Sequence, residues 1–289
     1  MTTTDFDLTH SSSLHSGKDS NGHAVLQQEK HLLQNPSPAY RRHAIALAVG
    51  WLPILASAQP LGGQVVSGSA SIVQSGAPGQ TVTTVKQNSS VTSIHWKSFN
   101  LGTGDTVNFV QPSSQAVAIN RISDVAGSKI HGRIQANGQV WLLNPNGILF
   151  GKDAQINVGG LLASTLSTMD PTASSPALRQ VQVLSGSSKA PVVNLGQINA
   201  SEGGYVALLG HTVSNQGSMA ANQGSVALGA GSDVSLQFEG SRLLSVKVNQ
   251  HQLDALAGNG GLLQADGGRV ILTAGARDSV LASAVNHTK

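Results

Sequence analysis

From Asn194 onward the sequence repeats itself at a spacing of about 20 residues, the length of one solenoid rung. Asn194-Leu195-Gly196-Gln197-Ile198-Asn199-Ala200 is echoed by Asn215-Gln216-Gly217-Ser218-Met219-Ala220-Ala221. Gly204-Tyr205-Val206-Ala207-Leu208 is echoed by Gly224-Ser225-Val226-Ala227-Leu228, and a weaker third copy runs from Gly260 through Leu272. A run of three to five apolar residues cannot bury enough surface alone. Stacked on an equivalent run, it gains a parallel hydrogen-bond ladder, and its inward side chains join a continuous column. Glycine and asparagine turn the corners because they tolerate positive φ.

The chain before the repeat has the same grain. Short β-rich runs such as Val91–Trp96, Val107–Val110, Val117–Ile122, Val140–Leu143 and Gly147–Phe150 are punctuated by Gly, Asn, Asp and Pro. Only Gln252 to Leu256 offers a short helical pattern, and Asp170 to Pro176 reads as a loop leaving the main body. Charged residues make up 11% of the chain and aromatics 3%, with 33 glycines. That suits many short strands joined by polar turns and does not suit a disordered chain, which needs high charge. The expected fold is all-β, and the first rung needs a cap against edge-to-edge pairing. Residues Gln64 to Gln87 are the candidates for it.

Three regions are expected: a polar, unstructured extension over 1–40, a signal-peptide core with its cleavage site over 41–58, and the β-rich domain over 59–289. Arg41-Arg42-His43 forms a basic n-region before an apolar stretch from Ala44 to Leu55, too short to span a bilayer comfortably. Ala56-Ser57-Ala58 is a small-x-small site, with cleavage expected between Ala58 and Gln59. The arginine pair hints at twin-arginine export, but the residues after it favour the general secretory (Sec) route. A mature protein outside the cytoplasm would lack disulfides, since the chain has no cysteine.

The same inventory narrows the chemistry. No thiolate metal site is available, the scattered histidines show no repeated ligand spacing, and no cofactor is expected. The net charge of +3 comes with no basic run interleaved with aromatics, so nucleic acid is not an expected partner. Asp105, Asp124, Asp153, Asp170, Glu202, Asp233 and Glu239 are scattered rather than paired, and Gly151-Lys152 is not a phosphate loop. A polysaccharide-active β-helix enzyme, which needs clustered carboxylates, is thus the weaker alternative and no catalytic residue is named.

The block from Trp96 to Leu166 carries an ordered series of motifs. They include Trp96–Gly102, Val107–Ser113, Ala116–Ile122, Ile130–Ile134, Ala136–Leu143, Asn144-Pro145-Asn146-Gly147-Ile148-Leu149-Phe150-Gly151 and Val158–Thr165. The series closely resembles the N-terminal secretion domain, also called the haemagglutination activity domain, of filamentous-haemagglutinin-type two-partner secretion exoproteins, over roughly residues 64–285. The resemblance implies a right-handed, single-stranded parallel β-helix with an N-terminal cap and extra-helical strands. It implies export by the Sec machinery and then by an outer-membrane transporter with periplasmic polypeptide-binding domains. The product would be secreted, or held at the surface of a Gram-negative bacterium, in an adhesin-type role with a host-cell or glycan ligand.

Asn144, Pro145, Asn146, Gly147 and Ile148 match the family's secretion motif. Asn120 and Arg121 are further candidates for partner contact. The family's other Asn-Pro-Asn motif is missing; Gln111-Pro112-Ser113 stands in its neighbourhood. The leader departs from the family's extended signal sequence. Read without the family, Asn144 to Gly147 is a β-turn: proline presets φ at the second position, and asparagine and glycine suit the third and fourth. Structural and contact roles both stand at this point. A solenoid pattern that runs on toward Lys289 without a cap leaves open a truncated export module, or a toxin-delivery exoprotein without its effector.

Overall fold

The computed structural model describes residues 58–168, 181–250, 255–274 and 285–287, and every regular element in it is a strand. Within the coil, from β3 onward, successive strands do not pair with their sequence neighbours. They stack on strands one turn of chain away and build three parallel faces of a β-helix. Face 1 contains β4 (Val91–Trp96), β6 (Val117–Ile122), β9 (Gln139–Leu143), β12 (Gly160–Ser164), β16 (Tyr205–Gly210), β19 (Ser225–Ala230) and β24 (Arg269–Ala274). Face 2 contains β3 (Val82–Gln87), β5 (Thr106–Val110), β8 (Arg133–Ala136), β11 (Gln155–Val158), β15 (Gln197–Ala200), β18 (Ser218–Ala220) and β23 (Leu262–Gln264). Face 3 contains β7 (Ser128–Ile130), β10 (Ile148–Phe150), β14 (Pro191–Asn194), β17 (Thr212–Asn215), β22 (Leu256–Asn259) and β25 (Val285–His287).

The register fixes the columns. On face 2, Val107, Ile134, Ile156, Ile198, Met219 and Leu263 stack in line toward the interior. On face 1, Ala118, Val140, Leu161, Val206 and Val226 do the same. The repeat seen in the sequence is this register: Ile198 lies on Met219 and Val206 on Val226. Two corners are columns of glycine. A β-carbon added at Gly224 would overlap the Gly204 carbonyl oxygen, and one at Gly217 would overlap that of Gly196. Close stacking of the corners, more than their dihedrals, therefore excludes a side chain there.

Two features depart from the parallel plan. At the N-terminal end, β1 (Gln64–Ser67) and β2 (Ala70–Ser75) pair antiparallel with β4 and β3. The cap is thus shorter than Gln64 to Gln87, because β3 already pairs in parallel with β5 and belongs to the first coil. Outside the coil, β13 (Val181–Ser185), β20 (Asp233–Glu239) and β21 (Arg242–Gln250) form a separate antiparallel sheet. Its inward Leu184, Val234, Leu236, Phe238 and Leu243 pack on the outer side of face 1, over Ile119, Trp141, Leu162 and Ala207. Strands β9, β12, β16 and β19 are therefore buried on both sides along their whole length.

The helical expectation for Gln252 to Leu256 does not hold where it can be read: Leu256 opens β22, whose neighbours supply the ladder that a five-residue helix would lack. The expected loop over 170–176, the extension over 1–40 and the leader up to Ser57 lie outside the described residues.

Candidate functional site

The Asn144–Ile148 motif forms the corner between β9 and β10. Asn144 is fully buried; its Nδ2 donates to Ser128 Oγ at 3.0 Å and its Oδ1 accepts from the Asn146 amide at 2.9 Å. The Gly147 amide donates back to the Asn144 carbonyl at 3.1 Å, closing the turn, and Gly147 sits at φ +104°. Ile148 is buried against the core, while Pro145 and Asn146 stand in solvent. The carbonyl of Pro145 accepts from Ser188 Oγ. Asparagine is required at the first position because a short side chain must serve the turn and the coil below together.

Asn120 and Arg121 lie back to back on β6. Asn120 points into the coil and is fully buried, with its Oδ1 accepting from Trp96 Nε1 at 2.9 Å. Its Nδ2 donates to the carbonyls of Ala118 and Trp141, both at 3.1 Å, so every polar atom of the amide is satisfied. Arg121 points outward and is half-buried; it donates to Ser167 Oγ at 3.1 Å and to the Thr168 carbonyl at 2.8 Å. Of the expected cleavage residues, Ala56 lies outside the described residues, whereas Ala58 and Gln59 are half-buried at the entry to the cap. There the Pro60 carbonyl accepts from Gln74 Nε2 at 2.6 Å.

Gln111, in the position without the second Asn-Pro-Asn, is a corner residue of the same kind. Its Oε1 accepts from the Gly138 amide at 3.0 Å, and its Nε2 lies 3.0 Å from the Ala116 carbonyl. The longer amide reaches one coil onward, to the Gly138 amide, and so lets glutamine hold a corner without an asparagine.

Two constellations escaped sequence reading. Asn194, Asn215 and Asn259 form a buried ladder at one corner, with Asn194 Nδ2 donating to Asn215 Oδ1 at 2.8 Å and Asn215 Nδ2 to Asn259 Oδ1 at 2.7 Å. The signal was present as Asn-x-Gly in all three repeats. The second is the joint under the extra-helical sheet. Trp141 Nε1 donates to Tyr205 Oη at 2.7 Å, and Tyr205 Oη donates to Gln139 Oε1 at 2.8 Å. Phe238 stacks on Trp141 and meets Tyr205 edge-on, at ring separations of 6.2 and 5.3 Å. Burial pushes the Tyr205 pKa upward, so the phenol stays neutral. No short-range pattern links Trp141, Tyr205 and Phe238.

Two carboxylates serve turns. Asp105 is buried and accepts from the amides of Thr81 at 2.8 Å and Gly102 at 2.9 Å. Asp124 accepts from the Ala126 amide at 3.0 Å and from Asn100 Nδ2 at 3.0 Å. Among the described residues no three His, Asp or Glu side chains converge as metal ligands. The arrangement can order a chain and present surfaces.

Comparison with known proteins agrees with that architecture. The family model "TPS secretion domain" matches residues 56–289. A heme/hemopexin-binding protein of Haemophilus influenzae (strain ATCC 51907 / DSM 11121 / KW20 / Rd) is 32% identical over 228 residues, covering 77% of this chain and 24% of that protein. A second heme/hemopexin-binding protein of Haemophilus influenzae is 49% identical over 82 residues, covering 28% of this chain and 9% of its own length. The chain thus spans a quarter or less of the relatives it matches. The crystal structure of the HMW1 secretion domain from Haemophilus influenzae superposes with a TM-score of 0.64 at 28% identity, over 74% of this chain and 57% of that one. With its cap, its three-faced coil and its extra-helical sheet, the chain belongs to the TPS secretion domain family, the two-partner secretion modules of haemagglutinin-type exoproteins.

Proposed function

We propose that residues 59–289 direct the export of an adhesin-type exoprotein through a dedicated outer-membrane transporter, after a signal peptide ending at Ala58 has carried the chain across the inner membrane by the Sec route. The family match over residues 56–289 carries this reading. In this mechanism the chain reaches the transporter extended, and its backbone donors and acceptors are captured by strand addition in the periplasmic domains. Asn120, Arg121 and Asn144 to Ile148 are read at that stage, because Asn120, Asn144 and Ile148 are hidden once the coil has closed. Folding outside the cell, coil upon coil, biases the chain against sliding back.

The domain acts without catalysis in this reading, since Asp105 and Asp124 are engaged with backbone amides and Asn100 rather than with each other. The heme/hemopexin binding named for the relatives belongs to proteins of which this chain spans 24% or less, and is not assigned to this domain. The test is co-expression with and without an outer-membrane two-partner transporter. Release of mature protein beginning at Gln59 only when the transporter is present is the expected result. Release without it, or retention with it, overturns the proposal.

A further inference from the structure

Among the described residues asparagine precedes glycine three times, at Asn137-Gly138, Asn146-Gly147 and Asn259-Gly260. Such a pair can react with itself. The glycine nitrogen, with no side chain beside it, can reach the asparagine Cγ and close a cyclic imide. In the folded coil all three nitrogens are engaged as donors. Gly138 N donates to Gln111 Oε1 at 3.0 Å, Gly147 N to the Asn144 carbonyl at 3.1 Å and Gly260 N to the Asn215 carbonyl at 2.8 Å.

The three asparagine side chains are not equally held. Asn137 Oδ1 accepts from the Gln111 amide at 2.8 Å, and its Nδ2 donates to the Gln111 carbonyl at 2.8 Å. Asn259 is buried; its Oδ1 accepts from Asn215 Nδ2 at 2.7 Å and its Nδ2 donates to the Gly261 carbonyl at 3.0 Å. Asn146 is exposed, and among the described residues its side chain has no hydrogen-bond partner. What restrains Asn146-Gly147 is therefore the glycine, through its own amide and through its carbonyl, which accepts from the Ser128 amide at 2.9 Å. Ser128 lies one coil away, on β7, so this restraint exists only after the coil has closed.

We propose that Asn146-Gly147 is a site of spontaneous deamidation, slowed by the closed turn and faster in the extended chain. The Gly147 nitrogen gives up its proton and bonds to Asn146 Cγ. The Cγ–Nδ2 bond breaks, and ammonia leaves with that proton. Water then opens the imide on either side of the nitrogen. Cleavage of the new nitrogen–Cγ bond leaves aspartate; cleavage of the original peptide bond leaves isoaspartate, which carries the main chain through the side chain and adds a methylene to it. Aspartate fits the folded coil, because position 146 faces solvent. Isoaspartate lengthens the backbone between Asn144 and Gly147, whose hydrogen bond closes the turn. Gly147 has little room to shift, since a β-carbon there would already lie 3.2 Å from the Pro191 carbonyl oxygen. Time spent extended is thus written into the chain as a residue that the turn does not accept. The inference takes from Proposed function only the extended passage of the chain, and its test involves no transporter.

The test ages the purified full chain at neutral pH, folded and in guanidinium chloride, and follows each asparagine by peptide mass spectrometry with fragmentation. In the folded chain Asn146 should convert about tenfold or more faster than Asn137 and Asn259, as two extra side-chain hydrogen bonds account for. In denaturant the three rates should converge, and Asn146 should react about fivefold faster than in the folded chain, as loss of the turn bond accounts for. After the aged chain is refolded, its protease-resistant fraction should hold about fivefold less isoaspartate at position 146 than the digested fraction, for the same reason. Equal rates at the three sites in the folded chain overturn the proposal, as does an Asn146 rate that denaturant leaves unchanged. Isoaspartate shared evenly between resistant and digested fractions overturns it as well. Transporter-independent release in an export assay overturns Proposed function alone, because none of these rates depends on export.

Discussion

Asn120 shows what a single polar residue does inside a coil of this kind. It sits among apolar columns, yet each of its polar atoms has a partner, including the indole N–H of Trp96. Asn120→Ala strands that donor and two carbonyls. The expected loss is about 3 kcal/mol, read as a lower midpoint in denaturant unfolding, and a loss under about 1 kcal/mol would mean water replaces the amide. The Asn144–Ile148 turn divides differently. Asn144→Ala removes the turn bond and the Ser128 contact and should cost about 2 kcal/mol. Asn146 is exposed, so Asn146→Ala should leave stability within about 0.5 kcal/mol. If the motif is read in the extended chain, that same substitution lowers the secreted yield. Undiminished yield with undiminished stability would confine the motif to building the turn.

At the scale of elements, the extra-helical sheet explains why face 1 reads as unbroken apolar runs such as Val140-Trp141-Leu142-Leu143 and Tyr205 to Leu209. Alternate residues serve two cores, one inside the coil and one beneath the sheet. Gly160 contributes by its lack of a side chain, since a β-carbon there would come within 2.7 Å of the Tyr205 ring. Phe238 is the plug that joins the layers. Phe238→Ala should cost about 3 to 5 kcal/mol locally and expose β20 and β21 to amide exchange while the ladders of faces 2 and 3 stay protected. Loss of protection throughout the coil would show instead that sheet and coil unfold as one unit.

At the scale of the molecule, each parallel contact joins residues only about one coil apart, so structure can grow from any formed rung. Export in an extended state follows if the domain passes a channel before rungs form. The chain has no cysteine, which makes a clean test possible. Asn157 and Asn199 are exposed, stacked in register, and joined by a 3.1 Å side-chain hydrogen bond. Neighbouring strands lie within the span a disulfide bridges. The double variant Asn157→Cys, Asn199→Cys should be retained in the periplasm under oxidising conditions and released when a reductant is added. Equal release in both conditions would show that a closed coil passes the transporter.

Much of this architecture was legible in the chain itself. The spacing of Asn194 and Asn215, the Asn-x-Gly corners and the short apolar runs dictate a stacked coil, because each feature acts within one rung and its neighbour. The turn at Asn144 was likewise readable, since proline and glycine act on their own dihedrals. What only the tertiary structure decided lies across distant segments. Trp141, Tyr205 and Phe238 meet, β13 pairs with β20, and Gln111 takes the corner role of an asparagine, although nothing local in the sequence connects them. Local chemistry selects the rung, and the stacking of rungs selects which side chains come face to face.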